Sequence, residues 1–378
     1  HHRDPSRRGA RLMAVLVLNS GSSSVKYQLI DAADGRRLAR GLIEEVVDHE
    51  HALADVIEEL GDAPVDAVGH RVVHGGERFV APTLIDESVV DAIESLVPLA
   101  PLHNPANLAG IRAARRTWPD LPHVAVFDTA FHRTLPAHAY RYAVPSGWFD
   151  DYGVRRYGFH GTSFDYVSAR AADALGRPRD ELDLVVAHLG NGASMAAIDH
   201  GRCVETSMGL TPLEGLVMGT RSGDIDPAVI GHVARASGRS EADVSADLVR
   251  RSGLVGLCGD SDMRTVTERA HAGDADAELA LDVFCHRIVK YVGAYVAVLG
   301  GCDALVFTAG IGEHSAEVRR RVCERLGAFG VELDDAANEQ HEPVITTPAS
   351  GMTVMVVPTD EEHAIAEQTA RVMEGAPS

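Results

Sequence analysis

Two arginines lie in loops flanked by glycine: Arg71 in Gly69-His-Arg-Val-Val-His-Gly-Gly76 and Arg221 in Met218-Gly-Thr-Arg-Ser-Gly-Asp-Ile-Asp-Pro227. A guanidinium fork on a backbone that can approach closely suits a carboxylate or a moving phosphoryl group, whereas the plainer use of such an Arg is to pair with an acid of the fold. Asp224 and Asp226 are at hand to hold Arg221. Two such arginines together point to anion chemistry. His70 and His74 have the spacing of a helical metal pair but stand in a strand-like context, so no metal is expected there. Val73, beside Arg71, either lines an apolar pocket or belongs to the core.

Asn19-Ser-Gly-Ser-Ser-Ser-Val-Lys26 sets hydroxyls and bare backbone N–H groups directly after an apolar strand, as a polyphosphate needs, though Ser/Gly clusters are also common turn punctuation. Lys26 is one of only two lysines, with Lys290, which suggests a compact ammonium is wanted at that place. No G-x-x-x-x-G-K-S/T occurs, so a P-loop fold is excluded. His103, in Leu102-His-Asn-Pro105, falls at the positive end of a helix that Asn104 would cap. Asp128, in Phe127-Asp-Thr-Ala-Phe-His132, ends an apolar strand, where a carboxylate can orient a ligand, take a proton or cap a helix. His160, in Tyr157-Gly-Phe-His-Gly-Thr-Ser163, has the setting of a placed imidazole, although lone histidines are usually structural. Gly310-Ile-Gly-Glu-His314 lacks the third glycine of a dinucleotide fingerprint and comes too late in the chain, so a purine-ribose platform fits it better.

The elements that must position these residues read as α/β. Strands at 15–18, 25–30 and 38–46, with a turn at Asp34-Gly35, form a meander. The plan returns at 184–187, 193–198 and 203–206, with a turn at His200-Gly201. In each copy a small polar or glycine-rich turn joins the first two strands, Gly21–Ser24 and then Gly190-Asn-Gly192. Helical spacing covers 88–97, 107–117, 163–175, 278–299, 315–326 and 361–373, with short loops expected elsewhere. Late strands at 304–308 and 352–357 run into Ala309-Gly-Ile-Gly312 and Pro358-Thr-Asp-Glu361. Two meanders half a chain apart predict a duplicated α/β domain with a central cleft between the copies.

Acidic residues outnumber Lys plus Arg by 55 to 35, a balance that repels phosphate backbones and anionic membranes, so neither nucleic acid nor a membrane is an expected partner. The five cysteines form no C-x-x-C pair, which argues against a disulfide framework or a zinc site and for a reducing, cytoplasmic location. No apolar run suffices to span a bilayer, and no signal peptide precedes the first strand. Residues 1–12, basic and opening on two histidines, read as a tag remainder, with Met13 as the natural start.

Taken in order, LNSGSSSVKY, GHRVVHGGERF, APLHNPAN, FDTAFH, YGFHGTS, AHLGNGAS, TPLEGLVMGTRSGDIDP and FTAGIGEHS make the chain resemble the acetate kinase family of the acetate and sugar kinase, Hsp70 and actin superfamily. The resemblance covers about 13–373. It implies two duplicated actin-like, ribonuclease H-like domains, 13–132 closed by 360–375 and 133–359, with ATP in the cleft between them. It also implies direct in-line transfer of the ATP γ-phosphoryl to acetate, giving acetyl phosphate and ADP, in a homodimer, for which the helix at 283–299 is an interface candidate as much as a core one. By the same resemblance Asn19 and Glu361 position Mg2+, with Mn2+ as a substitute. Lys26 and the hydroxyls of Ser22 to Ser24 contact phosphate, Arg71 and Arg221 clamp the acetate carboxylate and the moving phosphoryl, and His160 stabilises the transition state. Asp128 is the family's proton-donor or positioning residue. His188, Leu189, Gly190, Asn191 and Gly192 line the ATP phosphates. Asp262, Met263 and Arg264, with Gly310, Ile311, Gly312, Glu313 and His314, hold the nucleotide. Val73, Leu102, Phe159 and Pro212 form the acyl pocket, with His103 beside the substrate. The chain departs from the family's usual residues at Phe164, His314 and Asp360, which normally are His, Asn and Asn. The competing readings are a propionate or butyrate kinase of the same fold and a non-catalytic nucleotide switch of the actin and Hsp70 kind.

Overall fold

The computed structural model describes residues 13–21, 24–46, 48–101 and 103–375. Ser22 and Leu102 therefore lie outside the described residues. The chain forms two compact units: one runs to Ala130 and takes the chain up again at Asp360, the other is Phe131–Thr359.

The first unit is built on β1 (Ala14–Ser20), β2 (Ser24–Asp31), β3 (Arg37–Glu44), β4 (Ala67–Val72), β5 (Thr83–Leu84) and β6 (His123–Phe127), in spatial order β3-β2-β1-β4-β6-β5. β1 pairs antiparallel with β2 and parallel with β4, which pairs parallel with β6. Alternation puts successive residues of β1 on opposite faces. Leu16 and Leu18 pack with Leu53 and Val56 of the helix His49–Leu60 and with Ala113 and Ala114 of Asn104–Thr117. Val15 and Val17 pack with Val124, Val126 and, from the C-terminal helix Glu361–Met373, Ile365 and Ala366.

The second unit repeats the plan with β7 (Asp183–Leu189), β8 (Ala193–Asp199), β9 (Arg202–Thr206), β10 (Ala304–Thr308) and β11 (Thr353–Val356), in spatial order β11-β10-β7-β8-β9. Again the first strand pairs antiparallel with the second and parallel with the fourth. The two sheets thus share one topology, an antiparallel meander extended by parallel strands on the far side of its first strand, with a short antiparallel edge, β5, added in the first. Phe164, Val167 and Ala171 of the helix Gly161–Leu175 cover Leu184, Val186, Ile198 and Val306. Phe164 is fully buried, its ring edge-on to His132 and His188, so this position belongs to the core.

Several expectations need correction. The helix His49–Leu60 and the helices Ala228–Ser237, Glu241–Arg250, Gly253–Cys258 and Met263–His271 occupy ground expected to be loop. Ala309-Gly-Ile-Gly312 is no open turn: the helix Ala309–His314 begins directly after β10, with Ala309 at φ +65°. Asn104 does not cap its helix. It lies inside the first turn, fully buried, and its amide accepts from the N–H of His74 and donates to that residue's carbonyl. Much of the apolar helix Ala275–Leu299 is core, with Phe284, Ile288, Val292 and Tyr295 buried.

Candidate active site

In open α/β sheets the carboxyl ends of parallel strands are where ligand-binding residues gather. In the first unit those ends carry Asn19 on β1, Arg71 and Val73 at β4, and Asp128 after β6. The helix Asn104–Thr117 fixes Val73 and two neighbours of these residues: Asn107 accepts from the N–H of Val73 and donates to the Ser20 carbonyl, while Asn104 holds His74. Arg71 forks onto Asp128, Nε to Oδ1 at 3.1 Å and Nη2 to Oδ2 at 2.7 Å, with Glu361 at 3.9 Å. Asp128 holds the guanidinium firmly as a cation. Burial pushes the Asp128 carboxyl up, against the pull of Arg71. The pairing with an acid is thus seen, and it leaves the Arg71 side chain 23% exposed while Asp128 is closed in.

Lys26 is ion-paired with Glu362 at the start of the C-terminal helix, so its charge is already partly spent within the unit. Asp360 caps that helix, accepting from the N–H of His363 at 3.0 Å, and takes a 2.8 Å contact from Arg37, which offsets the extra negative charge the sequence places beside Glu361. His70 and His123 bond to one another at 3.0 Å, and burial lowers both from the ordinary histidine value, His70 well below it. Val73 and His103 stand in this unit, Phe159 and Pro212 in the other.

In the second unit, His160 precedes the helix Gly161–Leu175 at φ +57°, a strained backbone for a residue with a Cβ. Its Nδ1 lies 2.8 Å from Ser194 Oγ, and its ring stacks on His188 at 4.1 Å. A Cβ on Gly192 would sit 3.6 Å from both His160 Nε2 and Arg221 Nη1, so imidazole and guanidinium converge on the Gly190-Asn-Gly192 turn. Asp224 and Asp226 do not hold Arg221. Asp224 accepts from the Gly215 N–H and the Tyr291 hydroxyl, and Asp226 from the N–H of Ala228. Arg221 instead donates to the Pro212 carbonyl at 3.1 Å, has no carboxylate partner among the described residues, and is weakened as a cation by burial alone. The loop that carries it is closed by Gly223, at φ +66°, where a Cβ would lie 2.3 Å from the Leu216 carbonyl oxygen, leaving no room for a side chain.

A cavity of about 680 Å3 in this unit is lined by Gly190, Asn191, Asp262, Met263, Arg264, Gly310, Ile311 and His314, all singled out from sequence, and its size is that of small-molecule sites. Asp262 caps the helix Met263–His271 and is held down to about 2 by Arg264. Four other residues foreseen for the nucleotide have contacts of their own within this unit. Leu189 is fully buried in the sheet. Gly312 lets its helix approach Phe307 of β10. Glu313 accepts from the N–H groups of Ala309 and Thr359. His188 bonds to Ser163 at 2.8 Å. A further cavity of about 790 Å3 in the first unit contains none of the foreseen residues, and its Arg112 and Arg115 are paired with Glu94 and Glu87.

Sequence reasoning missed Arg319. It is fully buried, donating to the carbonyls of Gly312 and Glu313, to Asn338 and to His341, and thereby pins the helix whose Gly310, Ile311 and His314 line the cavity. The signal was present: Arg319 falls on the apolar stripe with Ala316 and Cys323. As a magnesium pair, Asn19 and Glu361 offer only hard oxygen donors, and Glu361 has just the 3.9 Å contact to Arg71, leaving its oxygens available. That suits an ion held by one or two protein ligands, substrate phosphates and water. Among the described residues, the one three-ligand cluster of His, Cys, Asp and Glu is Asp183, Asp199 and His200. It lies at the opposite end of β7 from His188.

The family model that matches, described as the acetokinase family, covers residues 14–64 and 48–367. The acetate kinase of Pseudarthrobacter chlorophenolicus is 57% identical over 382 residues, spanning 95% of this chain and 99% of that protein. The crystal structure of Porphyromonas gingivalis acetate kinase superposes with a TM-score of 0.92 at 43% identity, covering 96% of this chain and all of that one. A propionate kinase from Francisella tularensis superposes at 0.91 with 40% identity, covering 95% and 100%. With two sheets of one topology, the duplicated actin-like architecture, and likeness over nearly the whole length, the chain belongs to the acetokinase family.

Proposed function

We propose that this chain is an acetate kinase, moving the γ-phosphoryl of ATP reversibly to acetate and giving acetyl phosphate and ADP. The observation that carries the reading is Arg221, a half-buried guanidinium without a carboxylate partner among the described residues, set beside His160 at a glycine turn. A cation kept from water without a counter-ion is costly unless an anionic ligand supplies one.

In the transfer, a carboxylate oxygen of acetate attacks the γ-phosphorus and the bond to the β–γ bridging oxygen breaks. No proton needs to move, so Asp128 is a positioning residue that holds Arg71. The transition state spreads charge over the equatorial oxygens, where Arg221 and an Nε2–H of His160 give fixed positive ends. Asn191, the Gly190–Gly192 turn and the cavity from Met263 to His314 receive ADP. Asn19 and Glu361 would hold Mg2+, or Mn2+ in its place, which would supply neutralisation of phosphate charge. We place the enzyme in the cytoplasm, as its free cysteines suggest, and no helix of the described residues is long and apolar enough to cross a membrane. We expect a homodimer, on the family resemblance.

Propionate is the alternative substrate that a specific observation favours, the 40% identity to a propionate kinase. One methylene in an apolar pocket is worth about 1–3 kcal/mol, so the preference for acetate is graded. Hydroxylamine trapping of acyl phosphate, with MgATP and separately acetate, propionate and butyrate, tests the reading. Acetate should give the strongest signal, lost in Arg221→Ala. No hydroxamate from any acid, despite ATP binding, would move the assignment to a nucleotide switch.

A further inference from the structure

Within the second unit two imidazoles stand face to face, His160 and His188, with ring planes 19° apart. Each is tied at Nδ1, at 2.8 Å, to the hydroxyl of a fully buried serine, His160 to Ser194 and His188 to Ser163. Each turns Nε2 toward the same backbone. A Cβ on Gly192 would meet His160 Nε2 at 3.6 Å, and one on Gly190 would meet His188 Nε2 at 4.0 Å. Ser163 is met in turn by Thr359 Oγ1 at 2.9 Å, so a row of hydroxyls runs from Thr359 through Ser163 to His188.

We infer that Ser194 and Ser163 are positioning residues that set the tautomers of His160 and His188: both donate to Nδ1, so that two neutral rings present Nε2–H to phosphoryl oxygens at the Gly190–Gly192 turn. This rests on the phosphoryl-transfer reading and adds to it which proton each ring carries and what keeps it there. A neutral imidazole that accepts at Nδ1 carries its hydrogen at Nε2. Charging both rings would set two cations about 4 Å apart, with the Arg221 guanidinium at the same turn as a third, and such close like charges repel strongly away from bulk water. Phosphoryl oxygens only accept, so the useful form of each ring is the donor, and donors fixed before substrate arrives need no reorganisation in the transition state. Thr359 completes the arrangement by donating to Ser163, whose single hydrogen is committed to His188.

Side-chain 15N NMR of the full chain reads the tautomers directly, the signals being assigned through His160→Gln and His188→Gln. We expect pyridine-type Nδ1 and pyrrole-type Nε2 at both rings. In Ser194→Ala the His160 signals should move toward mixed tautomers, and in Ser163→Ala those of His188. The corresponding kcat for acyl hydroxamate formation should fall on the order of 10- to 100-fold with KM for acetate and ATP within about twofold, as for other groups that orient a reacting side chain. An Nδ1–H tautomer or an imidazolium at either ring of the wild-type protein overturns the inference, and so does a serine variant whose tautomers and kcat are both unchanged. Absence of acyl phosphate from the wild-type chain would instead overturn the kinase reading, and the spectrum would still decide the tautomers.

Discussion

Replacing Arg71 by alanine separates its structural use from its catalytic one. Asp128 is 1% exposed, and among the described residues Arg71 alone supplies its two charged hydrogen bonds. Removing one partner of a buried ion pair leaves a bare buried charge, a loss of about 3–5 kcal/mol. At about 2–4 °C per kcal/mol for a domain of this size, the first unit should melt about 6 to 20 °C lower. The deficit depends on pH with a sign fixed by Asp128. Burial raises its folded pKa, and without Arg71 the opposing pull is gone. A raised carboxyl stabilises the fold fully below its ordinary value, about 3.9, and loses that contribution as pH rises through the raised value. Arg71→Ala should therefore recover stability as pH falls from 8 to 5. Adding Asp128→Asn should restore most of the melting temperature at pH 8 and remove the pH dependence, while activity in both variants stays down by about 10^3-fold or more, the scale of an arginine that stabilises phosphoryl transfer. Calorimetry at the two pH values, with hydroxamate formation alongside, is the assay. An Arg71→Ala protein that melts within two degrees of wild type at both pH values would refute the structural half. Activity recovered by the double variant would refute the catalytic half.

Three further outcomes follow from other parts of the molecule. His132, buried between the Phe159 carbonyl and Cys203, is lowered to about 4 by burial. Its contribution is present above the ordinary value near 6.5 and is lost as pH falls through 4, about 3 kcal/mol over that window, so His132→Gln should flatten the acid limb of stability measured by urea unfolding. Arg319→Met should raise the KM for ATP about tenfold or more and leave that for acetate unchanged, and Arg319→Lys should not rescue it, because an ammonium cannot reproduce the fork that serves Asn338 and the two helix carbonyls. Glu361→Gln should raise the Mg2+ concentration for half-maximal activity about 10- to 100-fold, and chelation with EDTA should abolish turnover of the wild-type protein.

How far the sequence could be read follows from what each signal encodes. The meanders were legible because alternation, β-branched residues and turn chemistry coincide, as at His200-Gly201, where both residues take positive φ in the turn between β8 and β9. Strand 304–308 was found to the residue, being a short apolar run bounded on both sides. The helix Ala309–His314 was read as a turn because two glycines in four residues look like a breaker, whereas Gly312 is there to let the helix lie close on β10. The short helices between Ala228 and His271 bury few apolar residues each, so periodicity had little to show. At the site, motif strings located Arg71, Asp128, His160 and Arg221, but the sequence could not tell which arginine is paired. Asp128 follows Arg71 by more than fifty residues, while the acids nearest Arg221 in sequence are engaged with Gly215, Tyr291 and Ala228. Partnership across the fold is a property of topology.

The first unit is completed by the helix Glu361–Met373, which is made after the whole of the second. Until Glu361–Met373 is available, the face of its sheet formed by Val15, Val17, Val124 and Val126 has no cover from Ile365 and Ala366. At roughly 5–20 residues per second of synthesis, the 229 residues between Ala130 and Asp360 hold that face open for about 12 to 46 seconds after the strands have emerged. Unit two, continuous in sequence, can close first although it is made second. A chain released before Glu361–Met373 has been made would carry an N-terminal sheet bare on one side, an aggregation and protease target.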